Sequence, residues 1–485
     1  MIIFNLIHHA KVRRALLVSF RPLFSRQAAF SWFIVVIFGF LLRFDHYGVS
    51  SFVRWLHLPA STYPLLLNFL HASSWSLGEL MMNWMTLCQD KFPLVSLNGR
   101  LLVVGDGIKV AKESQCQPGL KFLTSPSQNQ SKPQKFIGHH FGCIAFVAEH
   151  CGKYRGILQA AQLHEGVDYV RQQQSEKPQE QLRETVVSRM MSLLVVVAMQ
   201  QNKPLYGALD ALFSTAVAFH AVFDNVQSDG TPWVHLITRA KSSYVAYTSA
   251  AQRKGDRVKL WSVFDNLDLF IEHTHPLHPE RKVKLYHQDL YWGSGNFFLR
   301  FVWGIDGNKQ FVLMSSDLLL SPLTILKFYG LRFQIEFTFR ILKHLIGGFG
   351  YRFWSSLCRR NTSKQALTVV DTAHEKVVAQ RALLKLTAIE RYVNLAIIAQ
   401  GILSYLAIAQ SQWVWNIHYA SSWLRSYSSD LPSDETVQRA LQSHFMTTFS
   451  LKMVKDWMSS NQLEKLTGPP PKVREHHTLG QFLSS

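Results

Sequence analysis

Apolar residues recur at three- and four-residue intervals through residues 50–95, in SFVRWLHL, TYPLLLNFLHAS and WSLGELMMNWMTL. That period predicts helices, punctuated by Pro59 and Pro64. Ser76 followed three residues later by Glu79 has capping-box spacing and predicts a helix start. Near residue 100 the pattern changes. RLLVVGDG reads as a short β-run ending in Asp106 and Gly107, and the polar stretch 123–135 as a hairpin loop. GHHFGCIAFVAEH and YRGILQAAQLH are the next two strands, and 170–183 is a polar connector into an apolar helix near 184–200. PLYGALDALFS predicts a strand ending at Asp210, then a helix near 214–224 and a strand in WVHLITRAK. Between 250 and 320, VKLYHQDLYW, NFFLRFVWGI and KQFVLMSSDL are strands separated by the turn signals GSG and DGN. Residues 322–345 return to helical periodicity. Residues 365–460 are mostly helical, led by a long helix amphipathic in its first part, and the tail GPPPKVREHH is expected to be disordered. No internal repeat is found.

Composition narrows the function classes. A chain of 485 residues suggests about two to four domains. Lys and Arg total 51 against 32 Asp and Glu, a net charge of +19, so a polyanion is the expected partner. Charge alone leaves nucleic acid and an anionic membrane both open. Cys88, Cys116, Cys143, Cys151 and Cys358 lack paired metal-ligand spacing and read as reduced thiols. The apolar run 28–42 lies between Arg26 and Arg43. It falls short of the roughly 20 residues of a spanning helix. The expectation is a buried helix in a basic helical region, without stable membrane association.

Two strand ends carry an acidic residue. A lone carboxylate is costly inside a strand but can face a cleft from its end, which draws attention to Asp106 and Asp210; caps and turns use the same residues. The helix 322–345 carries Tyr329, Arg332, Glu336 and Lys343 at offsets of 0, 3, 7 and 14. At about 3.6 residues per turn these fall on one face, while Ile325, Phe328, Ile335, Phe339 and Leu342 form an apolar face. Such a stripe is also what a solvated surface looks like, since Arg332 and Glu336 make an ordinary i,i+4 pair.

The spacing Tyr-x2-Arg-x3-Glu-x6-Lys resembles the YREK signature of a large group of bacterial insertion-sequence transposases of the DDE type. FVLMSSDLLLSPLTILKFYGLRFQIE resembles that family's approach to its catalytic Glu, and Asp106 and Asp210 complete a triad in order. The sequence departs from a common family pattern after the first Asp, with Gly107-Ile108 where a hydroxyl residue often follows, and after the second, with Ala-Leu-Phe. The resemblance covers about residues 95–350 and extends less fully to 50–95. It implies an RNase H-like mixed sheet flanked by helices, the first Asp on the first strand, the second on the fourth, and the Glu on a later helix. The implied organisation is a helical DNA-binding region 1–95, a catalytic core 96–350 with a β-rich insertion at about 250–310, and a helical region 351–485 for dimerisation or DNA binding.

That likeness also implies a chemistry. Asp106, Asp210 and Glu336 would hold two Mg²⁺ ions (or Mn²⁺) about 4 Å apart for in-line cleavage at transposon ends and strand transfer into target DNA. Arg332, Lys343 and Tyr329 would hold phosphates. Double-stranded DNA, a homodimer assembled on it and a cytoplasmic, nucleoid-associated location follow. The alternatives are a catalytically inactive transposase-derived DNA-binding protein and a membrane-associated protein using 28–42. Trp261, Trp292 and Trp303 lie in the insertion, where an aromatic can stack on a flipped base, though core packing is the ordinary role. His273, His275 and His278 are expected in an exposed loop rather than at a metal. Asp317, a rival carboxylate, is expected to start a helix.

Overall fold

The structure is a computed structural model describing residues 16–113, 117–125, 134–164, 185–252, 256–352, 372–421, 428, 430–448 and 479–480. The expected polar connector 170–183, most of the 123–135 loop and the whole tail GPPPKVREHH lie outside them, as do Cys116 and Cys358. It is a mixed α/β architecture, one multi-stranded sheet flanked by helical regions.

Four helices lead the described chain: α1 (Gln27–Leu42), α2 (Val49–Trp55), α3 (Thr62–His71) and α4 (Leu77–Lys91). The Ser76 hydroxyl accepts from Glu79 N at 3.5 Å, starting α4 where the capping spacing predicts. The apolar run lies in α1 and is mostly buried. Its partners are α2, α3 and two later helices, so its hydrophobicity serves the core.

The sheet begins with β1 (Ser96–Leu97), β2 (Arg100–Ala111), β3 (Lys121–Ser125), β4 (Gln134–His150) and β5 (Lys153–Leu163). After α5 (Val186–Gln200) come β6 (Leu205–Leu209), α6 (Ala216–Phe223) and β7 (Val234–Arg239). The first spatial unit is β5-β4-β2-β6-β7: β4 is antiparallel to β2 and β5, while β2, β6 and β7 are parallel. Parallel neighbours need crossovers, and α5 and α6 lie on them, packed together on one face.

Residues 240–315 add β8 (Val245–Tyr247), β9 (Arg257–Lys259), β10 (Ile271–His275), β11 (His278–Trp292), β12 (Phe297–Asp306) and β13 (Lys309–Ser315). This β-rich segment is no separate sheet, because β13 pairs antiparallel with β7 through Leu313↔Arg239 to Ser315↔Ile237. Trp292 and Trp303 are buried there, Trp303 Nε1 donating to Leu260 O at 2.6 Å, and half-buried Trp261 packs on Phe264. The tryptophans of this segment serve its core. The three histidines sit at the β10–β11 hairpin, with His275 buried and its Nδ1 accepting from Leu277 N. That correction to the exposed-loop reading follows from a turn that folds one imidazole inward.

The helix expected over 322–345 is broken. α7 (Pro322–Leu331) and α8 (Gln334–Arg340) are separate, and Ile341–Leu345 forms a π turn. Ser321 caps α7, accepting from Thr324 N at 3.2 Å. Asp317 is therefore not the helix start; it is buried, accepting from Leu319 N and from the Tyr206 hydroxyl at 2.9 Å.

Three helices close the chain: α9 (Thr372–Ala409), α10 (Ser411–Ser421) and α11 (Asp434–Thr448). Within α9, Leu383–Ala409 is long and apolar enough to cross a membrane, yet most of it is buried inside the molecule. It seals the outer edge of β5. Ala161 N donates to Asn394 Oδ1 at 2.9 Å, Asn394 Nδ2 donates back to Ala161 O at 2.8 Å, and Leu163 N donates to Glu390 Oε1 at 2.8 Å. Side chains thus replace a missing neighbouring strand.

Candidate active site

Asp106 does not end its strand. β2 runs on to Ala111, but its parallel pairing with β6 stops at Gly105↔Leu209. Beyond Gly105 only β4 accompanies it, so Asp106 opens a notch on the β6 side, opposite Cys143 on β4. Asp210 is the first residue after β6, one step past the same level. The ends of two adjacent parallel strands thereby bring together carboxylates that are distant in sequence.

The residue after Asp106 is glycine for a steric reason. A Cβ on Gly107 would stand 2.6 Å from His140 Nε2, so the imidazole occupies the space a hydroxyl side chain would need.

α7 and α8 cover the sheet face opposite α5, burying Ile325, Phe328, Ile335 and Leu342. Their junction carries Arg332. Its Nη1 lies 3.3 Å from Asp106 Oδ2 and its Nη2 lies 3.6 Å from Glu336 Oε1, so one guanidinium spans two of the three predicted carboxylates. Tyr329 lies beneath, its ring centre 5.8 Å from the guanidinium carbon.

Electrostatics tie in the third carboxylate. Burial pushes the Asp106 carboxyl up to about 6; the Gly107 N–H at 2.7 Å and Arg332 oppose this, while Asp210 and Glu336 add to it. Burial also raises Tyr329, against the pull of Arg332 and Arg239, with Asp210 pushing the same way as burial. Asp210 and Glu336 thus both act on the Asp106 carboxyl, although 104 and 126 positions separate the three in turn. Asp210 is also a cap, its Oδ1 accepting from Leu212 N at 2.9 Å, so the capping role and the site position coincide.

Lys343 stands apart. It is exposed in the π turn, and no ion pair among the described residues joins it to the carboxylates. Tyr329, Arg332, Glu336 and Lys343 would share one face only on a straight helix, and the break at Arg332–Phe333 and the wider π turn take Lys343 off that face. Arg239, at the end of β7, is the cation that the sequence reading overlooked. Its signal was the one used for the aspartates, a charged residue closing a predicted strand. Phe333 and Phe337 are half exposed beside Glu336 and pack edge to face.

Among the described residues no three His, Cys, Asp or Glu side chains stand close enough to hold a metal ion as arranged. The arrangement is two carboxylates, Asp106 and Glu336, joined through the Arg332 guanidinium, with Asp210 at the end of the neighbouring strand. Compared with known proteins, the chain matches no family model and no curated protein.

Proposed function

We propose that the chain is a DNA transposase of the DDE type, cutting DNA at transposon ends and joining them to target DNA, with an RNase H-like core formed by β5-β4-β2-β6-β7. The observation that carries the reading is geometric: one Arg332 guanidinium lies between Asp106 and Glu336, and Asp210 follows the adjacent parallel strand one step past the level where its pairing with β2 ends. The first Asp on the first strand of the five and the second after the fourth agree with what the YREK resemblance implies. The net charge of +19 suits a DNA partner.

The donor set fits a hard divalent cation, since three carboxylates without thiol or imidazole suit Mg²⁺ or Mn²⁺. Burial, and after it repulsion from Asp210 and Glu336, raises Asp106, so an added cation would be favoured there. When bound, such ions supply an activated water and stabilise the leaving oxygen. Asp106, Asp210 and Glu336 would hold them. Arg332, released from the carboxylates, would bind a backbone phosphate bidentately, and Tyr329 packs against the guanidinium and orients it.

A second reading, a transposase-derived DNA-binding protein that no longer cuts, is favoured by one observation: Arg332 lies against both Asp106 and Glu336. The test compares wild type with Glu336→Gln for gel shift and for nicking of end-bearing DNA with Mg²⁺ or Mn²⁺. Metal-dependent nicking by wild type, and binding without nicking by the variant, is the expected result. Nicking by the variant at the wild-type rate refutes the catalytic role, and binding without nicking by both selects the second reading.

A further inference from the structure

A cavity of about 390 Å³ lies where the loop between α1 and α2, α2 itself and α3 meet the segment that follows the Glu336 helix and π turn. Its lining includes Tyr47, Tyr63, Arg54, Asp45 and Arg352. Tyr47 and Tyr63 are 59% and 39% exposed, so two phenol rings face this space without being core residues. The guanidinium carbons of Arg352 and Arg54 lie 5.5 and 6.0 Å from the Tyr47 ring centre.

The two arginines differ in what they have left to bind. Asp45 receives Arg54 on both oxygens, Trp55 Nε1 at 2.8 Å and Tyr47 N at 3.1 Å, so its charge is answered internally. No carboxylate among the described residues pairs with Arg352. Close to it is a second cation, Lys112, with Nζ 3.5 Å from the Tyr351 ring centre and donating to Phe349 O at 2.6 Å. Burial, and then Arg352, bring Lys112 down to about 7.

Size and chemistry select the ligand class. Ligand cavities run from about 300 to 1,000 Å³, so this one takes a single small unit rather than a length of duplex. A guanidinium with no carboxylate partner among the described residues, beside exposed aromatic rings, is the combination that holds a phosphate and a base together. We propose that this cavity holds one nucleotide of bound DNA, its phosphate on Arg352 and its base against Tyr47 and Tyr63.

The proposal rests on the DNA-binding reading and adds a position to it. Lys112 follows β2 six residues beyond Asp106, which is about 20 Å of extended chain. That spans about six base pairs of duplex at 3.4 Å each. The nucleotide held here would lie several positions from the bond at Asp106, and would register the DNA end against the cut.

The test uses the full chain in EDTA, so that no step at the carboxylates contributes. Thymidine monophosphate, thymidine and inorganic phosphate are titrated by ligand-observed NMR into wild type, Arg352→Gln and Tyr63→Leu, with melting curves checking that each variant folds. The monophosphate should bind wild type more tightly than either fragment. Arg352→Gln should weaken it about tenfold or more, the loss of one charge-assisted contact, while Tyr63→Leu should lower it toward the affinity of free phosphate. Equal affinity in wild type and Arg352→Gln overturns the proposal, as does phosphate binding as tightly as the monophosphate. Glu336→Gln serves as an added arm: unchanged monophosphate binding there keeps this result separate from the fate of the cleavage reading. If Arg352→Gln cannot fold, Arg352→Lys replaces it, with a several-fold loss expected and no loss overturning the proposal.

Discussion

Replacing Asn394 by Leu tests how the long C-terminal helix closes the sheet that carries Asp106. Ala161 and Asn394 exchange two hydrogen bonds at 2.9 and 2.8 Å, and both residues are completely buried. Leu has nearly the same volume but neither donor nor acceptor. The Ala161 N–H and C=O would then be left without partners where water cannot reach. Each buried orphan costs about 1–3 kcal/mol, so the pair should destabilise β5 by roughly 2–6 kcal/mol. At about 1.4 kcal/mol per factor of ten, even the lower figure increases opening roughly thirtyfold. Hydrogen exchange followed by mass spectrometry suits the question, because a chain of this size need not unfold in one step. Peptides covering 153–163 should exchange at least about tenfold faster in Asn394→Leu, while those covering 234–239 in β7 should change much less. Protection of β5 within a factor of about three of wild type would refute the edge-sealing account.

Asp434→Ala should destabilise the α11 contact by about 3–5 kcal/mol, because it leaves Arg155, now 2.8 Å from the carboxylate, without its buried partner; a urea midpoint unchanged from wild type would contradict this. Lys112 supplies a pH test. Its folded value of about 7 lies below the ordinary lysine value, so the unfolded chain binds more protons between them, and stability should rise with pH from about 7 to 10. Lys112→Met should flatten that rise by about one proton, measured as the pH slope of the unfolding free energy. Lys343→Ala should lower the salt slope of binding to end DNA by about one if the exposed ammonium meets a phosphate, and an unchanged slope would remove Lys343 from the DNA interface.

What the sequence made legible follows from where the signal is local. Asp210 could be placed because the apolar run of β6 stops at Leu209 and the chain turns at once, with Asp210 capping the turn. β11, β12 and β13 could be placed because Gly-rich turns separate them. The continuation of β2 past Asp106 was not legible. Residues 107–111 are held by β4, and that pairing is decided 27 to 35 residues away in sequence. The joining of β13 to β7 was hidden for the same reason, because register between distant strands leaves no periodic trace.

The misreading of residues 322–345 has a deeper cause. Hydrophobic period reports which side chains are buried, not whether the backbone beneath them is continuous. Ile325, Phe328, Ile335 and Leu342 are all buried across a break and a π turn, so the pattern over 322–345 looked like one helix. Arg332 sits at that break, where it reaches both Asp106 and Glu336. The irregularity that periodicity could not see is thus at the residue that links the predicted carboxylates. In α9 the converse holds. Glu390, Arg391 and Asn394 look like the polar side of an amphipathic helix, yet all three are buried. Arg391 donates to the carbonyls of Leu70, Ala72 and Trp75, while Glu390 and Asn394 serve β5. Polar side chains satisfy buried backbone as readily as water does, so a polar face identifies solvent only after the backbone groups opposite it are known. The sheet edge opposite this one is what α9 recognises, and its chemistry is written in β5, more than two hundred residues earlier in the chain.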